Sequence, residues 1–157
     1  MTYSQANTAF AADVVPFPIN STRLSVYQPR HGWREKTKKR LEELTDLQQG
    51  WDGYNAEPVS IANAAFALSV LEAICAPDAA PPQLVPGNNR DLQIEWHTLR
   101  GDIELHVVAP NRVHAWRMSI NDDSQEEDLE LTTEFSSVAA WVKDMTEPDL
   151  AAETTAA

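Results

Sequence analysis

The residues best suited to chemistry are two glutamates and two histidines in a stretch of alternating apolar and polar residues: Glu95, His97, Glu104 and His106. This alternation predicts two β-strands, and the turn signal between them predicts a hairpin. Because imidazole and carboxylate groups bind zinc or transfer protons, the shared face could hold a metal ion or an acid and a base. A surface ladder of ion pairs has the same pattern.

The pairing of these two strands decides which groups meet. If Trp96 lies opposite Leu105 on the inner face, Glu95 faces His106 and His97 faces the second glutamate. Cross-strand neighbours of this kind lie about 5 Å apart, which is close enough for ion pairs.

A third predicted strand, residues 112–120, also carries a histidine. Its inward set is expected to be Trp116, Met118 and Ile120, with His114 inward near the rim. Successive strands joined by turns form an antiparallel meander with one face on the helices.

Patterns for nucleophilic or phosphate chemistry are absent from the sequence. The serines lack a Gly-x-Ser-x-Gly setting, and the five glycines form no phosphate-binding loop. Cys75 lies in an apolar helical run, where a thiolate is costly. Asp52 and Glu57 could act as paired carboxylates, although Asp52 is expected to order its own turn. We therefore expect no catalytic residues, no cofactor and no metal.

Charge is distributed unevenly along the chain. The 12 Lys and Arg residues and 24 Asp and Glu residues give a net charge of -12. Residues 23–40 hold seven basic residues and one acidic residue, whereas residues 41–157 hold five basic and 22 acidic residues. This segregation predicts an acidic body that repels free nucleic acid and attracts a basic protein.

Two charged segments are the candidate binding surfaces. For the acidic one, a predicted loop at 121–128 and its continuation, we assign partner binding to Asp122, Asp123, Glu126, Glu127, Asp128 and Glu130. For the basic one we assign partner or nucleic-acid binding to Arg30, Arg34, Lys36, Lys38, Lys39 and Arg40. Carboxylates facing a basic partner speed association in a salt-sensitive way, whereas Lys and Arg contact phosphates.

Helical periodicity predicts the elements that position these surfaces. An amphipathic helix is expected at 33–49, a mostly apolar helix at 61–76 and a last helix at 134–145. The predicted fold class is α+β, with two N-terminal helices packed on a three- to four-stranded antiparallel meander and followed by a C-terminal helix.

Composition divides the chain into three parts. Residues 1–22 are expected to form a flexible arm, residues 23–147 a single α+β domain and residues 148–157 a disordered tail. No apolar window reaches the ~18 residues of a membrane span, and no secretory signal is expected. The one cysteine fits a reducing compartment, so we expect a cytoplasmic protein without a membrane partner.

The stretch 50–60, GWDGYNAEPVS, joins the first two helices. It combines a helix-ending glycine, a turn pair and a helix N-cap, and its two aromatic side chains are expected to pack back onto the body. We interpret it as a structural clasp formed by Gly50, Trp51, Asp52, Gly53, Tyr54 and Ser60.

This clasp and its flanks resemble an arrangement in small uncharacterised bacterial proteins. The shared pattern is a helix, Gly-Trp-Asp-Gly-Tyr-x-Ala-x-Pro, a second helix, a proline-rich connection and a strand ending in Glu-Trp, and it covers about residues 40–108. The resemblance concerns fold-setting residues and implies no active site. It implies an association with mobile elements and with toxin or defence loci.

Together these observations predict an acidic cytoplasmic module that covers a basic surface of a protein partner. Antitoxins, immunity proteins and inhibitors are the expected classes, including a phage-encoded inhibitor of a defence nuclease. One alternative is a nucleic-acid-associated regulator that uses the basic segment 30–40. A second alternative is a metal-dependent enzyme on the sheet face that carries Glu95, His97, Glu104 and His106.

Overall fold

A computed structural model describes residues 32–120 and 125–146. Within these ranges the chain forms three helices and five strands: α1 (Gly32–Thr45), α2 (Ile61–Ile74), β1 (Gln83–Pro86), β2 (Leu92–Thr98), β3 (Gly101–Ala109), β4 (Arg112–Ser119), β5 (Glu126–Leu131) and α3 (Ser136–Thr146). The expected arm at 1–22 and the expected tail at 148–157 lie outside the described residues.

The five strands form one antiparallel sheet in the order β1-β2-β3-β4-β5. The α+β class, the two N-terminal helices and the C-terminal helix are confirmed, but the sheet has five strands rather than three or four. The prediction undercounted because β1 contains Pro86 and the first half of β5 is acidic, and both residue types are poor strand formers. Pairing with β2 and β4 therefore outweighs local propensity at the two edges.

The three helices pack on one face of the sheet, and the core lies between the two layers. Apolar strand residues alternate toward this inner face and are buried: Leu84, Leu92, Ile94, Trp96, Ile103, Leu105, Val107, Val113 and Ala115. The helices contribute buried residues from all three elements, including Trp33, Leu44, Leu71, Val138 and Trp141. Each fully buried aliphatic or aromatic side chain contributes about 1.5–3 kcal/mol.

Helix α1 is amphipathic, with buried residues at helical spacing on one side. Its first buried residue, Trp33, is 1% exposed and donates a hydrogen bond from Nε1 to the Ala76 carbonyl at 3.0 Å. This bond ties the start of α1 to the end of α2. None of the helices in the described ranges has the length and apolar character needed to cross a membrane.

The connection at 50–60 is held by backbone geometry rather than by aromatic packing. Gly50 has φ of +80°, a conformation that glycine adopts without a Cβ clash. Asp52 Oδ1 accepts hydrogen bonds from the backbone N–H groups of Tyr54 at 2.8 Å and Ala56 at 3.1 Å. Those two bonds lower the pKa of the Asp52 carboxyl.

The two aromatic side chains of this connection do not pack back onto the body as expected. Tyr54 is 85% exposed, and Trp51 is 37% exposed with its Nε1 donating to the Glu57 carbonyl at 3.2 Å. The aromatic part of the predicted clasp is therefore wrong. The physical reason is that Asp52 and the glycines satisfy the turn locally, while Ala56 and Val59 fill the buried positions.

The β2–β3 hairpin has a register two residues away from the predicted one. Trp96 lies opposite Ile103 rather than Leu105, because Thr98 pairs with Gly101 and leaves a two-residue turn. The Thr98 hydroxyl stabilises this turn by donating to the Gly101 carbonyl at 3.0 Å and accepting from the Arg100 N–H at 3.1 Å. An even shift keeps every side chain on its predicted face but changes its partner.

Strand β4 has the opposite phase to the predicted one. The buried residues are Val113 and Ala115, whereas the large apolar residues expected to point inward are directed outward or lie exposed beyond the strand end: Trp116, Met118 and Ile120. His114 also points outward, so its expected inward position is wrong.

A β-bulge explains this change of phase. Val107 pairs with Val113, yet Ala109 pairs with Arg112, so β3 holds one extra residue, Val108, at the start of the hairpin. Continuing the Ala109–Arg112 pairing without a bulge would place Trp116 opposite Leu105 on the inner face. The extra residue instead places Ala115 there, because side chains alternate with a period of two.

Asn63 of α2 binds the backbone at this bulge. Its side chain is buried, and its Nδ2 donates to the Val108 carbonyl at 3.3 Å and to the Arg90 carbonyl at 2.8 Å. Ser60, the N-cap of α2, accepts from the Asn63 N–H at 3.1 Å and fixes the first turn of the helix. The start of α2 thereby supports the irregular strand that sets the phase of β4.

We predict that Asn63→Ala lowers the free energy of unfolding by about 1–3 kcal/mol, because two partly buried hydrogen bonds lose their donor. Urea unfolding measures the change. Asn55→Ala, at an exposed position of the 50–60 connection, is the matched control and should stay within about 0.5 kcal/mol of the parent. Equal stabilities of the two variants would contradict the role assigned to Asn63.

Candidate functional site

The face of the sheet opposite the helices is the candidate functional site, and we call it the outer sheet face. It is defined by the outward positions of β2 to β5: Gln93, Glu95, His97, Asp102, Glu104, His106, Arg112, His114, Trp116, Met118, Glu126, Asp128 and Glu130. Six of these thirteen residues carry carboxylates, three are histidines and one is basic, Arg112 at the start of β4. The face is therefore mainly acidic.

Like charges meet at the centre of the outer sheet face. Glu95 lies directly opposite Glu104, an arrangement that destabilises a sheet unless the charges are compensated. Gln93 Nε2 donates to Glu104 Oε1 at 2.6 Å, and His97 Nε2 lies 3.1 Å from Glu95 Oε2. A polar partner for each carboxylate makes the pair tolerable.

His97 contacts two carboxylates at once. Its Nδ1 lies 2.9 Å from Asp102 Oδ1, in addition to the contact of Nε2 with Glu95. The hydrogen bond with Asp102, followed by that with Glu95, raises the pKa of the His97 imidazole. The ring therefore carries positive charge to a higher pH than an isolated histidine.

A second histidine contacts a carboxylate at the rim of the face. His106 Nε2 lies 2.5 Å from Oδ2 of Asp91, which is 9% exposed and also accepts from the Asn89 N–H at 3.0 Å. Burial alone raises the pKa of the Asp91 carboxyl, but the hydrogen bonds from His106 and Asn89 outweigh burial and lower it. A Cβ at Gly87 would clash with this carboxylate, so the loop before β2 closely encloses it.

The third histidine joins β4 to the edge strand β5. His114 lies opposite His106 on one side and opposite Glu130 on the other, and its Nε2 is 2.6 Å from Asp128 Oδ1. Each histidine in the described ranges is therefore paired with at least one carboxylate of this face or its rim.

The structure does not bring together the predicted pairs of the possible metal or acid-base site. Glu95 faces Glu104 rather than His106, and His97 faces Asp102 rather than Glu104. The two-residue hairpin turn causes both differences. Among the described residues, no group of three or more His, Cys, Asp and Glu side chains is arranged to hold a metal ion.

An apolar strip runs beside the carboxylates, and we define it as Leu99, Trp116, Met118 and Ile120. Leu99 is 97% exposed and Ile120 is 62% exposed, and the Ile120 N–H donates to the Arg100 carbonyl next to Leu99. Trp116 Nε1 donates to Glu126 Oε1 at 2.6 Å, which fixes the indole against β5. Aromatic and Met side chains exposed in this way are typical of binding surfaces.

The predicted acidic surface is divided between the two faces of the sheet. Glu126, Asp128 and Glu130 point outward from β5, so Glu126 and Asp128 lie in a strand rather than in the predicted loop. Glu127 points to the helical side and pairs with Arg117, whose guanidinium also lies 5.1 Å from the Trp141 ring centre. Asp122 and Asp123 lie outside the described residues.

The predicted basic surface lies on α1, in the helical layer. Arg34 pairs with Glu72 at 2.7 Å, and Arg40 pairs with Glu43 at 3.2 Å. Three lysines of this segment are exposed: Lys36, Lys38 and Lys39. Arg30 lies outside the described residues.

The remaining candidates for chemistry have local structural roles. Asp52 is engaged by two backbone N–H groups of its own turn, as described above. Burial raises the pKa of the Cys75 thiol to about 12, so the sulfur is protonated at neutral pH.

Comparisons of this chain with protein-family models, with curated proteins and with solved structures found no match. The resemblance carried by the 50–60 stretch stays a prediction. The functional argument therefore rests on the contacts, exposure and charge of the outer sheet face. Sequence patterning missed the outward positions of His114, Trp116 and Met118, and only the bulge at Val108 reveals them.

We predict that Asp91→Asn lowers stability by about 1–3 kcal/mol at pH 7, because a charged hydrogen-bond acceptor is lost from a buried position. The pKa of Asp91 is lowered on folding, so its stabilisation is present above the unfolded pKa of about 3.9 and disappears as the pH falls through the folded pKa.

Urea unfolding of the parent and of Asp91→Asn, measured from pH 7 down to pH 3, tests this prediction. The two stabilities should converge at the acid end. Asp102→Asn removes an exposed carboxylate from its pair with His97 and is the control, with an expected effect below about 1 kcal/mol. If the difference in stability between the parent and Asp91→Asn is as large at pH 3 as at pH 7, the stabilising role of the Asp91 carboxylate is contradicted.

Proposed function

We propose that the protein is a non-catalytic binding module whose outer sheet face covers a basic surface of a partner protein. The observation that carries this proposal is the composition of the face, with six carboxylates against one basic residue, Arg112, at thirteen outward positions beside an exposed apolar strip. Such a surface complements a site lined by Lys and Arg.

The carboxylates and the apolar strip have different tasks in this proposal. An exposed ion pair contributes only about 0–1 kcal/mol, so no single carboxylate supplies much affinity. Neighbouring strands are about 4.8 Å apart, which is less than the Debye length of about 8 Å at physiological salt, so the carboxylates act on an approaching partner together. They accelerate association, and the strip around Trp116 supplies affinity once water is excluded.

The basic partner fits the classes expected from the sequence. Proteins that handle nucleic acids present Lys and Arg to phosphates, and an acidic protein can cover those same groups. We therefore propose an antitoxin, immunity or inhibitor protein, including a phage-encoded inhibitor of a defence nuclease. The buried free Cys75 is compatible with action in the reducing cytoplasm.

The proposal predicts that a basic probe binds specifically at the outer sheet face. Attraction to the net negative charge of the protein as a whole would not select this face. We choose a fluorescent oligolysine peptide and measure its Kd by anisotropy at low and high salt. Neutralising β5 by Glu126→Gln, Asp128→Asn and Glu130→Gln should weaken binding by about tenfold, or ~1.4 kcal/mol. The loss should shrink as salt rises, because screening weakens the same contacts.

The matched control removes the same number of charges from α1 and its end by Glu35→Gln, Glu42→Gln and Asp46→Asn. It should change Kd by less than about twofold. Equal losses in the two triple variants, or an affinity that does not depend on salt, would argue against the outer sheet face. Capture of host proteins with the parent and with Trp116→Ala, followed by mass spectrometry, then identifies the physiological partner.

The second candidate function is nucleic-acid binding by the basic segment. What supports it is the exposure of Lys36, Lys38 and Lys39 along α1, although Arg34 and Arg40 are engaged in ion pairs. A mobility shift of single-stranded or duplex DNA or RNA at low salt should then be lost when the three lysines are changed to Ala. Absence of any shift with the parent protein would remove this candidate.

The third expectation, a metal-dependent enzyme on the outer sheet face, loses its geometric premise. It required Glu95 to meet His106 and His97 to meet Glu104, and the hairpin register separates both pairs. We do not propose it.

A further inference from the structure

The two edges of the sheet are protected in different ways. At one edge, β1 has only four residues, contains Pro86 and follows directly on Pro82, and α1 packs against it. Arg40 Nε also donates to the Leu84 carbonyl at 3.4 Å. Proline, short length and a covering helix prevent another strand from pairing with this edge.

Strand β5 forms the other edge of the sheet in the described ranges. It has six residues, Glu126–Leu131, with neither proline nor glycine, and it pairs with β4 on one side. Its protection consists of charge, since Glu126, Asp128 and Glu130 repel an acidic strand. The same charges attract a basic strand, so this edge discriminates by the sign of the incoming segment.

The two faces of β5 specify what an added strand would contain. Its outward residues are acidic, whereas Leu129 and Leu131 point to the helical side and pack half-buried against the core. A neighbouring strand would lie about 4.8 Å away with its side chains opposite those of β5. Its outward positions would then favour Lys or Arg, and its inward positions would favour apolar residues that cover the two leucines.

We propose that the free edge of β5 accepts an extended segment of the basic partner as a sixth strand, with Lys or Arg alternating with apolar residues over about six positions. This inference rests on the proposed function, because it takes the partner to be basic. It adds that the partner is recognised by hydrogen bonds to the β5 backbone and by the alternation of basic and apolar side chains, and not by charge alone.

The test uses the full chain, the probe peptide Lys-Val-Lys-Val-Lys-Val-Lys and two N-methylated derivatives of it that are isomers of each other. One isomer is N-methylated on its last two valines and the other on its two internal lysines. Successive N–H groups of a strand point to opposite edges, so each isomer blocks one edge of the added strand. The parent peptide and one isomer should bind alike, and the other isomer should bind about tenfold or more weakly because it loses its inter-strand hydrogen bonds.

Equal binding of all three peptides that is still weakened by the β5 triple variant would overturn strand addition and leave the proposed function standing. Failure of every peptide to bind at low salt would overturn both. These outcomes separate the inference from the function on which it rests.

Amide hydrogen exchange supplies a second readout that requires no variant. Binding of the parent peptide should slow exchange at alternate residues of Glu126–Leu131, because only every second N–H points to the free edge. Residues of β1 serve as the internal control and should be unchanged. If the protein is saturated with the peptide and no residue of β5 exchanges more slowly, the inference is overturned.

Discussion

The outer sheet face depends on one extra residue in β3. Val108 forms a bulge that moves Ala115, rather than Trp116, opposite Leu105, and Asn63 binds the Val108 carbonyl. Because side chains alternate with a period of two, this single insertion sends the large apolar residues of β4 outward and leaves small ones inside. The core loses an indole, while the open face gains one. The helix layer thus determines, through one side chain, what the opposite face displays.

The acidic face is tolerable because polar partners separate its charges. His97 and Asp91 respond to pH in opposite directions. The pKa of His97 is raised, so its stabilisation is present below about 6.5 and is lost as pH rises through the folded pKa. The pKa of Asp91 is lowered, so its stabilisation is lost only in acid. Both contribute at mildly acid pH, and the face becomes more negative as the pH rises through the raised pKa of His97.

Sequence patterning predicted the elements whose signal is local and missed what pairing decides. The apolar run and Ser60 located α2, and alternation located β2 and β3 on their correct faces. Patterning misses β1 and predicts a loop for the first half of β5, because proline and carboxylates disfavour strands locally. At the site, the acidic residues of β5 were visible, but the inward turn of Glu127 and the outward turn of Trp116 depend on strand pairing. No local propensity contains that information.

Both sheet edges are protected against pairing with strands of other molecules, but the two kinds of protection have different consequences. At β1 the proline, the short length of the strand and the helix packed against it oppose pairing with a strand of either charge. Carboxylates at β5 oppose only a strand of like charge, and two copies of this chain would bring their acidic edges together. A net charge of -12 adds to that repulsion. Charge therefore disfavours self-association through β5 while leaving its backbone available to a basic segment, which makes protection and selectivity two effects of the same three side chains.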